Sequence, residues 1–205
     1  MRQRLLRVGL TGGLATGKTH VAKTLAALGC HVLSADQIGH EVLLPAGEGY
    51  DDVVREFGPG IVGSGGEIDR HRLAAEVFGR PERLERLNAL VHPHVFRREE
   101  EWMRRIEAAE PGAIAIVEAA ILIETGSYKR YDRLILTFCT PEEQIRRHME
   151  RSGETEEQTR ARLARQMPLE EKRRYAHYVI DTSGTREETD RQAREVYQQL
   201  QQVEL

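Results

Sequence analysis

Residues 5–19 read LLRVGLTGGLATGKT, and this stretch decides the fold. Its first part, residues 5–10, is a short apolar run that predicts a buried strand, and the glycines that follow predict a turn. Residues 18–28 then have the apolar spacing of a helix that covers a sheet. A strand, a glycine-rich turn and a helix in this order are typical of an α/β protein with a mostly parallel sheet.

The glycine-rich turn fits the pattern G-x-x-x-x-G-K-[ST] over residues 12–19. Glycines let successive backbone N–H groups point at phosphate oxygens, and a helix start adds unpaired amides. Lys18 is then placed to reach the β- and γ-phosphates, and the Thr19 hydroxyl to bind Mg²⁺. An ordinary glycine-rich turn is the alternative, but pattern and context together favour a nucleoside triphosphate site. The predicted nucleotide contacts are Gly13, Leu14, Ala15, Thr16, Gly17, Lys18, Thr19 and His20.

The rest of the chain continues the alternation of strand-length and helix-length patterns. Further strands are predicted at residues 30–35, 114–117, 134–138 and 179–180, with a short helix at 37–44. Parallel strands need crossover connections, and here charged helices separate the apolar runs. The expected fold class is α/β, with a five-stranded parallel sheet between two layers of helices.

Two segments interrupt this alternation. Residues 50–109 have helical patterns but no convincing strand, which predicts an inserted helical subdomain. Residues 142–174 are dense in charge and poor in core-facing apolar positions, which is typical of a mobile lid. The core is therefore expected to comprise residues 1–49 and 110–205 of one domain.

Composition excludes several classes of protein. The 205 residues include 30 basic and 33 acidic side chains, and a net charge of −3 argues against a protein that holds bulk nucleic acid. No stretch approaches the apolar length of a membrane span, and the N-terminus does not fit a signal peptide. Cys30 and Cys139 are too few for a disulfide framework and are predicted to be small core residues. We therefore expect a cytoplasmic protein with no nucleic-acid or membrane partner.

Two carboxylates follow predicted strands and are expected at the edge of the sheet where ligands bind. Asp36 comes just after the second strand, where it would serve as base or orienting group for an acceptor hydroxyl, or as an N-cap of the next helix. Glu118 ends the third strand, where it would hold Mg²⁺ through water or simply be a solvated strand end. Position alone leaves both pairs of alternatives open.

The segment LNALVHPH, residues 87–94, places polar groups on a predicted helix. Asn88 and His92 are four residues apart and share a helix face. His92 and His94 resemble a metal pair, but no third ligand lies nearby in the sequence and Pro93 breaks the geometry. We therefore expect contact with a substrate, or a cap at the end of the helix, rather than a zinc site.

Arginines crowd the charge-dense segment and are interleaved with glutamates. They are Arg146, Arg147, Arg151, Arg160, Arg162 and Arg165. One interpretation is a solvated helix pair with i,i+4 ion pairs. The other, which we prefer, is a lid whose arginines neutralise charge on the transferred phosphoryl group. The spacing does not tell which arginines would reach the phosphates.

Beyond the phosphate loop, the sequence resembles the dephospho-CoA kinase family over nearly its whole length. The segments that carry the resemblance are VGLTGG (8–13), VLSAD (32–36), LNALVHP (87–93), AILIE (120–124), RHMERSG (147–153), RQMP (165–168) and VID (179–181). Many kinases share the phosphate loop, whereas the LNALVHP segment and the lid that ends in Gln-Met-Pro are specific to this family.

The resemblance implies ATP-dependent phosphorylation of the ribose 3′-hydroxyl of dephospho-CoA, with Mg²⁺, on a P-loop kinase core with a helical CoA-binding subdomain and a lid. It implies that Asp36 is the catalytic base. The catalytic residues are thus predicted to be Asp36, Lys18 and Arg147, and the substrate-binding residues Asn88, His92, Glu118 and Gln166. A monomer or weak homo-oligomer is expected.

The sequence departs from the family pattern at four positions. Ala15 stands where glycine is commoner, and His20 where serine or threonine is commoner. Ser34 replaces the first aspartate of an Asp-x-Asp pair, and Thr182 occupies a position where asparagine is frequent. None of these departures touches Lys18, Thr19 or Asp36, so the predicted activity stands.

Two alternatives use the same phosphate loop. Another small-molecule P-loop kinase would act on a nucleoside monophosphate or a shikimate-like acceptor, and the inserted helical region would decide between these acceptors. A nucleotide-switch protein would bind GTP and a protein partner. Guanine recognition usually uses an Asn-Lys-x-Asp loop, which this sequence lacks.

Overall fold

The predicted first strand lies in the middle of a five-stranded parallel sheet. In a computed structural model, which describes residues 4–204, the strands are β1 (Leu6–Gly12), β2 (His31–Ser34), β3 (Ile114–Glu118), β4 (Arg133–Phe138) and β5 (Tyr178–Asp181). Their order across the sheet is β2-β3-β1-β4-β5, and all neighbouring strands run parallel. The predicted α/β class and five-stranded sheet are confirmed, with strand ends displaced by at most two residues.

Helices connect the strands and form the segments between them. They are α1 (Lys18–Ala27), α2 (Ala35–Val42), α3 (Tyr50–Phe57), α4 (Arg70–Val77), α5 (Pro81–Ala109), α6 (Pro141–Ser152), α7 (Glu156–Leu163), α8 (Leu169–Lys172) and α9 (Arg186–Gln201). Short 3₁₀ turns lie at Pro59–Ile61, Ser127–Arg130 and Arg173–Tyr175. Within residues 4–204, no helix is both long and apolar enough to cross a membrane.

One hydrophobic core anchors the start of α1. Leu6, Val8 and Leu10 alternate along β1 and point to the same face of the sheet, where they are fully buried. Val21 and Leu25 of α1 pack in the same cluster, and so do residues of α9. Full burial of one such side chain contributes about 1.5–3 kcal/mol, so this packing holds α1 firmly on the sheet. The loop between β1 and α1 is therefore fixed at both ends.

The helical insertion forms a compact unit with different limits from those predicted. This unit comprises Ala35–Trp102, whereas residues 50–109 were expected. Helix α5 continues to Ala109, so the limit after Trp102 falls inside this helix. Within the unit, Arg98 pairs with both Glu41 and Glu48. The hydrogen bond from Arg98 lowers the pKa of Glu48 to about 2.

Helix α5 passes through Pro93 without interruption. A proline inside a helix removes a hydrogen bond and costs about 3 kcal/mol. Val91 and Val95 are buried on either side of it, and we attribute the continuity of the helix to this packing. The predicted helix-end cap at His92 and His94 is therefore wrong. Because these histidines are two residues apart on an unbroken helix, they also point to different faces and cannot form a metal pair.

Candidate nucleotide-binding and phosphoryl-transfer site

The glycine-rich turn lies between the end of β1 at Gly12 and the start of α1 at Lys18. Gly17 adopts the left-handed region with φ 74°, where a side chain would be strained. Its carbonyl then accepts hydrogen bonds from the backbone N–H groups of His20 and Val21, at 2.9 and 3.2 Å, and so begins the helix. The predicted strand–loop–helix arrangement is confirmed.

Side-chain donors hold three carbonyl oxygens of this loop. Thr16 Oγ1 donates to the Gly13 carbonyl at 3.0 Å, and Gln144 Nε2 donates to the Leu14 carbonyl at 2.7 Å. Thr182 Oγ1 donates to the Thr16 carbonyl at 3.0 Å. In a trans peptide the C=O and the following N–H point in opposite directions. Holding the carbonyls from outside therefore sets the directions of the N–H groups that follow them.

Three of the residues that shape the loop were not predicted from the sequence. Gln144 and Thr182 are each only 4 % exposed, and Thr137 Oγ1 lies 2.8 Å from Thr16 Oγ1. A Cβ at Gly12 would clash with the hydroxyls of Thr137 and Thr16, so only glycine fits there. In the sequence, the one sign of these roles was the departure from the family pattern at Thr182. In the structure, the Thr182 hydroxyl holds the Thr16 carbonyl of the loop.

Gln166, predicted to bind substrate, contacts the loop. The backbone N–H of Leu14 donates to Gln166 Oε1 at 2.9 Å. Gln144 donates to the carbonyl of the same residue, so two amide side chains hold both polar backbone groups of Leu14. This contact gives Gln166 a place beside the phosphate loop, and its role as a substrate ligand stays a prediction.

The structure explains why glycine is common at the position of Ala15. Ala15 has φ 56°, in the left-handed region that a Cβ disfavours. For a residue with a side chain this conformation costs roughly 1–2 kcal/mol. The loop therefore carries a small strain at Ala15, which glycine would relieve.

Lys18, Thr19 and Glu118 meet where β1 and β3 end. Glu118 Oε1 lies 3.4 Å from Lys18 Nζ and accepts a hydrogen bond from Thr19 Oγ1 at 3.3 Å. The Glu118 side chain is 12 % exposed, which rules out the alternative of a solvated strand end. Sheet register places Glu118 beside Leu10, two residues before the loop.

The oxygen atoms of Thr19 and Glu118 suit Mg²⁺. Magnesium prefers oxygen ligands and usually keeps several waters while it binds one or two protein groups and the substrate phosphates. Among residues 4–204, no cluster of three or more His, Cys, Asp or Glu side chains forms an all-protein metal site. The residues present thus fit an ion shared with a triphosphate.

Arg147, on α6, contacts Thr182, the residue that follows β5. Its guanidinium donates to Thr182 Oγ1 at 3.2 Å and to the Thr182 carbonyl at 2.6 Å. It also pairs with Glu143 at 2.8 Å, and hydrogen bonding by Arg146, with the charge of Arg147, lowers the pKa of Glu143. A cavity of about 370 Å³ opens beside it, and its lining includes Gly17, His20, Arg146, Arg147, Thr182 and Arg186.

Other arginines of the charge-dense segment form ion pairs at the surface. Arg160 pairs with Glu156 one turn away, and Arg162 pairs with Glu154. All but Glu154 are more than half exposed, so these pairs contribute little to stability. The interpretation as a solvated helix pair thus applies to α7, whereas Arg147 on α6 faces the core.

The predicted site residues are divided between the two compact units. Asp36, Asn88 and His92 belong to Ala35–Trp102, whereas Lys18 and the other predicted residues belong to the sheet-containing unit. Asp36 is the second residue of α2, inside the first turn rather than before it, so the N-cap alternative does not apply. His92 packs against the Phe96 ring, and burial lowers the pKa of its imidazole.

A parallel sheet with the phosphate loop after its central strand, and a lysine and a threonine at the start of the next helix, are the features of a P-loop kinase. Comparison with known proteins identifies the family within this class. The family model for dephospho-CoA kinase matches residues 6–188. The chain belongs to the dephospho-CoA kinase family and is a phosphotransferase.

Known relatives cover almost the whole chain. A dephospho-CoA kinase from Geobacillus kaustophilus is 40 % identical over 97 % of this chain and 98 % of its own length. One from Aquifex aeolicus is 39 % identical over 95 % and 97 %. A solved structure from Thermus thermophilus covers 98 % of this chain and 99 % of its own, with 34 % identity and a TM-score of 0.83. This sheet and its helices are therefore those of an experimentally determined fold.

Proposed function

We propose that this chain transfers the γ-phosphoryl group of ATP to the ribose 3′-hydroxyl of dephospho-CoA, giving coenzyme A and ADP, the last step of coenzyme A biosynthesis. The observation that carries the proposal is the meeting of Lys18, Thr19 and Glu118 at a phosphate loop whose backbone is fixed by buried side chains. Membership of the family supplies the acceptor.

ATP would bind with its phosphates in the loop. The N–H groups of Leu14 and His20 already donate to Gln166 and to Gly17. The other amides of residues 13–20 and the Lys18 ammonium would supply the positive field that triphosphate oxygens need. We place the nucleoside in the cavity beside Gly17, because this cavity adjoins the helix start and is lined by Arg147 and Thr182. Its volume, about 370 Å³, lies within the usual range for small-ligand sites.

Asp36 would accept the proton of the attacking hydroxyl. In this step a bond forms between the ribose 3′-oxygen and the γ-phosphorus, the bond from that phosphorus to the bridging oxygen breaks, and ADP leaves. Lys18 and Arg147 would balance the negative charge on the transferred group and on the leaving phosphate. We keep Asp36, Lys18 and Arg147 as the proposed catalytic residues.

Thr19 and Glu118 would hold Mg²⁺, Thr19 through its hydroxyl and Glu118 through its carboxylate or a water. When bound, the ion neutralises charge on the β- and γ-phosphate oxygens. Glu118 was also predicted to bind substrate, and through the ion it would do so indirectly. Lys18, now paired with Glu118, would exchange this partner for a phosphate oxygen.

The unit Ala35–Trp102 would bind the dephospho-CoA acceptor, with Asn88 and His92 as contacts. Desolvation favours the neutral imidazole of His92, which suits a hydrogen bond better than a charged contact. Gln166 remains a proposed substrate contact from the other unit. These assignments follow the family resemblance, and substitution of each residue tests them.

We also propose a cytoplasmic location and a monomer or weak homo-oligomer. Support for the location comes from Cys30 and Cys139, which are buried, as predicted from the sequence, and not joined in a disulfide. Burial raises the pKa of the Cys139 thiol, and a protonated buried thiol is unreactive.

The acceptor is tested directly with the purified full chain. ATP, Mg²⁺ and one acceptor at a time are incubated with it: dephospho-CoA, a nucleoside monophosphate and shikimate. We expect coenzyme A by mass spectrometry, with one ADP released for each molecule formed, and no transfer to the other acceptors. Transfer to a nucleotide without transfer to dephospho-CoA would overturn the proposal.

Asp36→Asn tests the base. We expect nucleotide affinity to stay within about twofold and turnover to fall by a factor on the order of 10² or more, as for loss of a general base. Asp51→Asn is the matched control, because Asp51 is also the exposed second residue of a helix in the same unit. Equal turnover in the two variants would demote Asp36 to a structural residue.

A further inference from the structure

Lys172 is a completely buried lysine that the proposed mechanism does not use. Its side chain is 0 % exposed, and it is the largest of the fully buried side chains among the described residues. Lysine is almost never buried unless it is paired, because taking an ammonium out of water is costly. The groups around Lys172 must therefore compensate for the loss of water around its ammonium.

Three oxygen atoms surround the Lys172 ammonium. Nζ lies 2.8 Å from Glu124 Oε1, 3.0 Å from the Ala120 carbonyl and 3.4 Å from the Gly12 carbonyl. An ammonium group has three N–H donors and no acceptor, so this set satisfies it. Glu124 alone would balance the charge, and the two carbonyls show that the ammonium also holds backbone.

The contacts of Lys172 join four parts of the sheet-containing unit. Gly12 ends β1, and Ala120 follows β3. Glu124 also accepts a hydrogen bond from the backbone N–H of Met167, at 3.4 Å, in the connection between α7 and α8. Lys172 itself ends α8. One buried ion pair thus ties the lid connection to the first residue of the phosphate loop.

The contact with Gly12 bears on phosphate binding through peptide geometry. The Gly12 carbonyl and the Gly13 N–H belong to one peptide plane and point in opposite directions. A donor that holds the carbonyl therefore fixes the direction of that N–H. Gln144 and Thr182 hold later carbonyls of the same loop, but as neutral groups. Lys172 is the member of this set that brings a full positive charge beneath the loop.

We propose that Lys172 is a positioning residue for phosphoryl transfer, which orients the first peptide of the phosphate loop and, through Glu124, couples that orientation to the lid connection. The inference rests on the proposed function for the reaction it serves, but its effect on nucleotide binding does not depend on the acceptor.

The test separates positioning from stability with two variants. Lys172→Met removes the charge at similar length and leaves Glu124, whose side chain is 23 % exposed, without this partner. Lys172→Met/Glu124→Leu removes the whole pair, and replacement of an ion pair by apolar side chains around a buried position is often neutral or stabilising. Lys129→Met, which removes an exposed lysine, is the matched control.

The measurements are the melting temperature, the Kd for a non-hydrolysable ATP analogue without acceptor, and kcat/KM for ATP with dephospho-CoA. For Lys172→Met we expect a melting temperature several degrees lower and kcat/KM at least tenfold lower, because a displaced catalytic loop loses about this much or more. In the double variant the melting temperature should recover while the Kd and kcat/KM stay impaired. The control should match the wild type in all three measurements.

Recovery of both stability and kcat/KM in the double variant would overturn the proposal, and so would wild-type nucleotide affinity in Lys172→Met. If neither methionine variant folds, the Kd is measured for Lys172→Gln, because this side chain keeps N–H donors without the charge. A Kd raised at least threefold supports positioning, and an unchanged Kd refutes it. If the wild type does not phosphorylate dephospho-CoA, the proposed function fails while the binding comparison still stands.

Discussion

The phosphate loop and the arginine-rich helices α6 and α7 both offer polar groups suited to phosphate, but they are built in opposite ways. The loop is held by buried side chains that contact its backbone, such as Gln144 and Thr182. The helices carry many more charges, yet pairs such as Arg160–Glu156 lie at the surface. Arg147 on α6 contacts Thr182, which in turn holds the Thr16 carbonyl of the loop. The loop is therefore the region with a fixed backbone, and the proposed function places the phosphates there rather than where charge is densest.

Substitution of the loop lysine should have the largest effect. Lys18→Ala removes the cation next to Glu118 and should lower turnover by a factor on the order of 10²–10³ and weaken ATP binding. Steady-state kinetics and calorimetric titration measure the two effects. Lys23→Ala, an exposed lysine on the same helix, is the control and should behave as wild type. Unchanged turnover in Lys18→Ala would refute the assignment of the phosphate loop.

Two arginines of the charge-dense segment, residues 142–174, should differ sharply. Arg147→Ala loses its contacts with Thr182, and we expect kcat/KM for ATP to fall by roughly 10- to 100-fold. Arg160→Ala breaks an exposed pair, which is worth about 0–1 kcal/mol, and should leave kcat/KM within about twofold. The same kinetic assay measures both variants. Similar losses in the two would mean that charge in this segment matters more than contact with the core.

A buried hydroxyl beneath the loop should have an intermediate effect. Thr182→Val leaves the Thr16 carbonyl without this donor and should cost about 1–3 kcal/mol of stability, with a severalfold higher KM for ATP. Thr159→Val is the control, since Thr159 is also buried but donates within its own helix, to Thr155. Denaturant unfolding and ATP titration measure the two variants. Equal increases of the KM for ATP in the two variants would contradict a specific role of the Thr182 hydroxyl in the loop.

The smallest effect is expected at the strained alanine. Ala15→Gly relieves the left-handed backbone, but glycine gains entropy in the unfolded chain, so the net stabilisation should be about 0.5–1 kcal/mol. Ala46→Gly is the matched variant outside the loop, because Ala46 has φ 67°. Both should stabilise similarly in denaturant unfolding, and ATP affinity should stay within about twofold. Destabilisation by Ala15→Gly would show that the loop is not strained there.

The sheet and the phosphate loop are predictable from the sequence because their signals are local. Apolar runs of strand length and the G-x-x-x-x-G-K-[ST] spacing are each contained within a dozen residues. The side chains that shape the loop are not predictable in this way. Gln144 and Lys172 lie 130 and 160 residues from the loop carbonyls they contact, and no local pattern links them. Their roles come only from the fold.

The helical insertion shows where local rules fail. Proline is a strong local signal for the end of a helix, yet α5 continues past Pro93. A rule based on proline alone does not take account of the packing of buried neighbours such as Val91 and Val95. Asp36 presents the converse case: its place after β2 was predictable, but its chemistry was suggested by family resemblance rather than by position.

Glu118 gives the loop a property that neither Lys18 nor the glycines would give alone. As a carboxylate beside the lysine, it makes this corner of the site nearly neutral before any ligand arrives. A bare triphosphate would meet the Glu118 carboxylate together with the lysine, whereas a triphosphate that carries a divalent cation would bring a partner for that carboxylate. With Mg²⁺ bound as proposed, nucleotide and cation would be thermodynamically linked, and each would raise the affinity for the other by the same factor. Through this one side chain the loop would then discriminate between free and metal-loaded nucleotide.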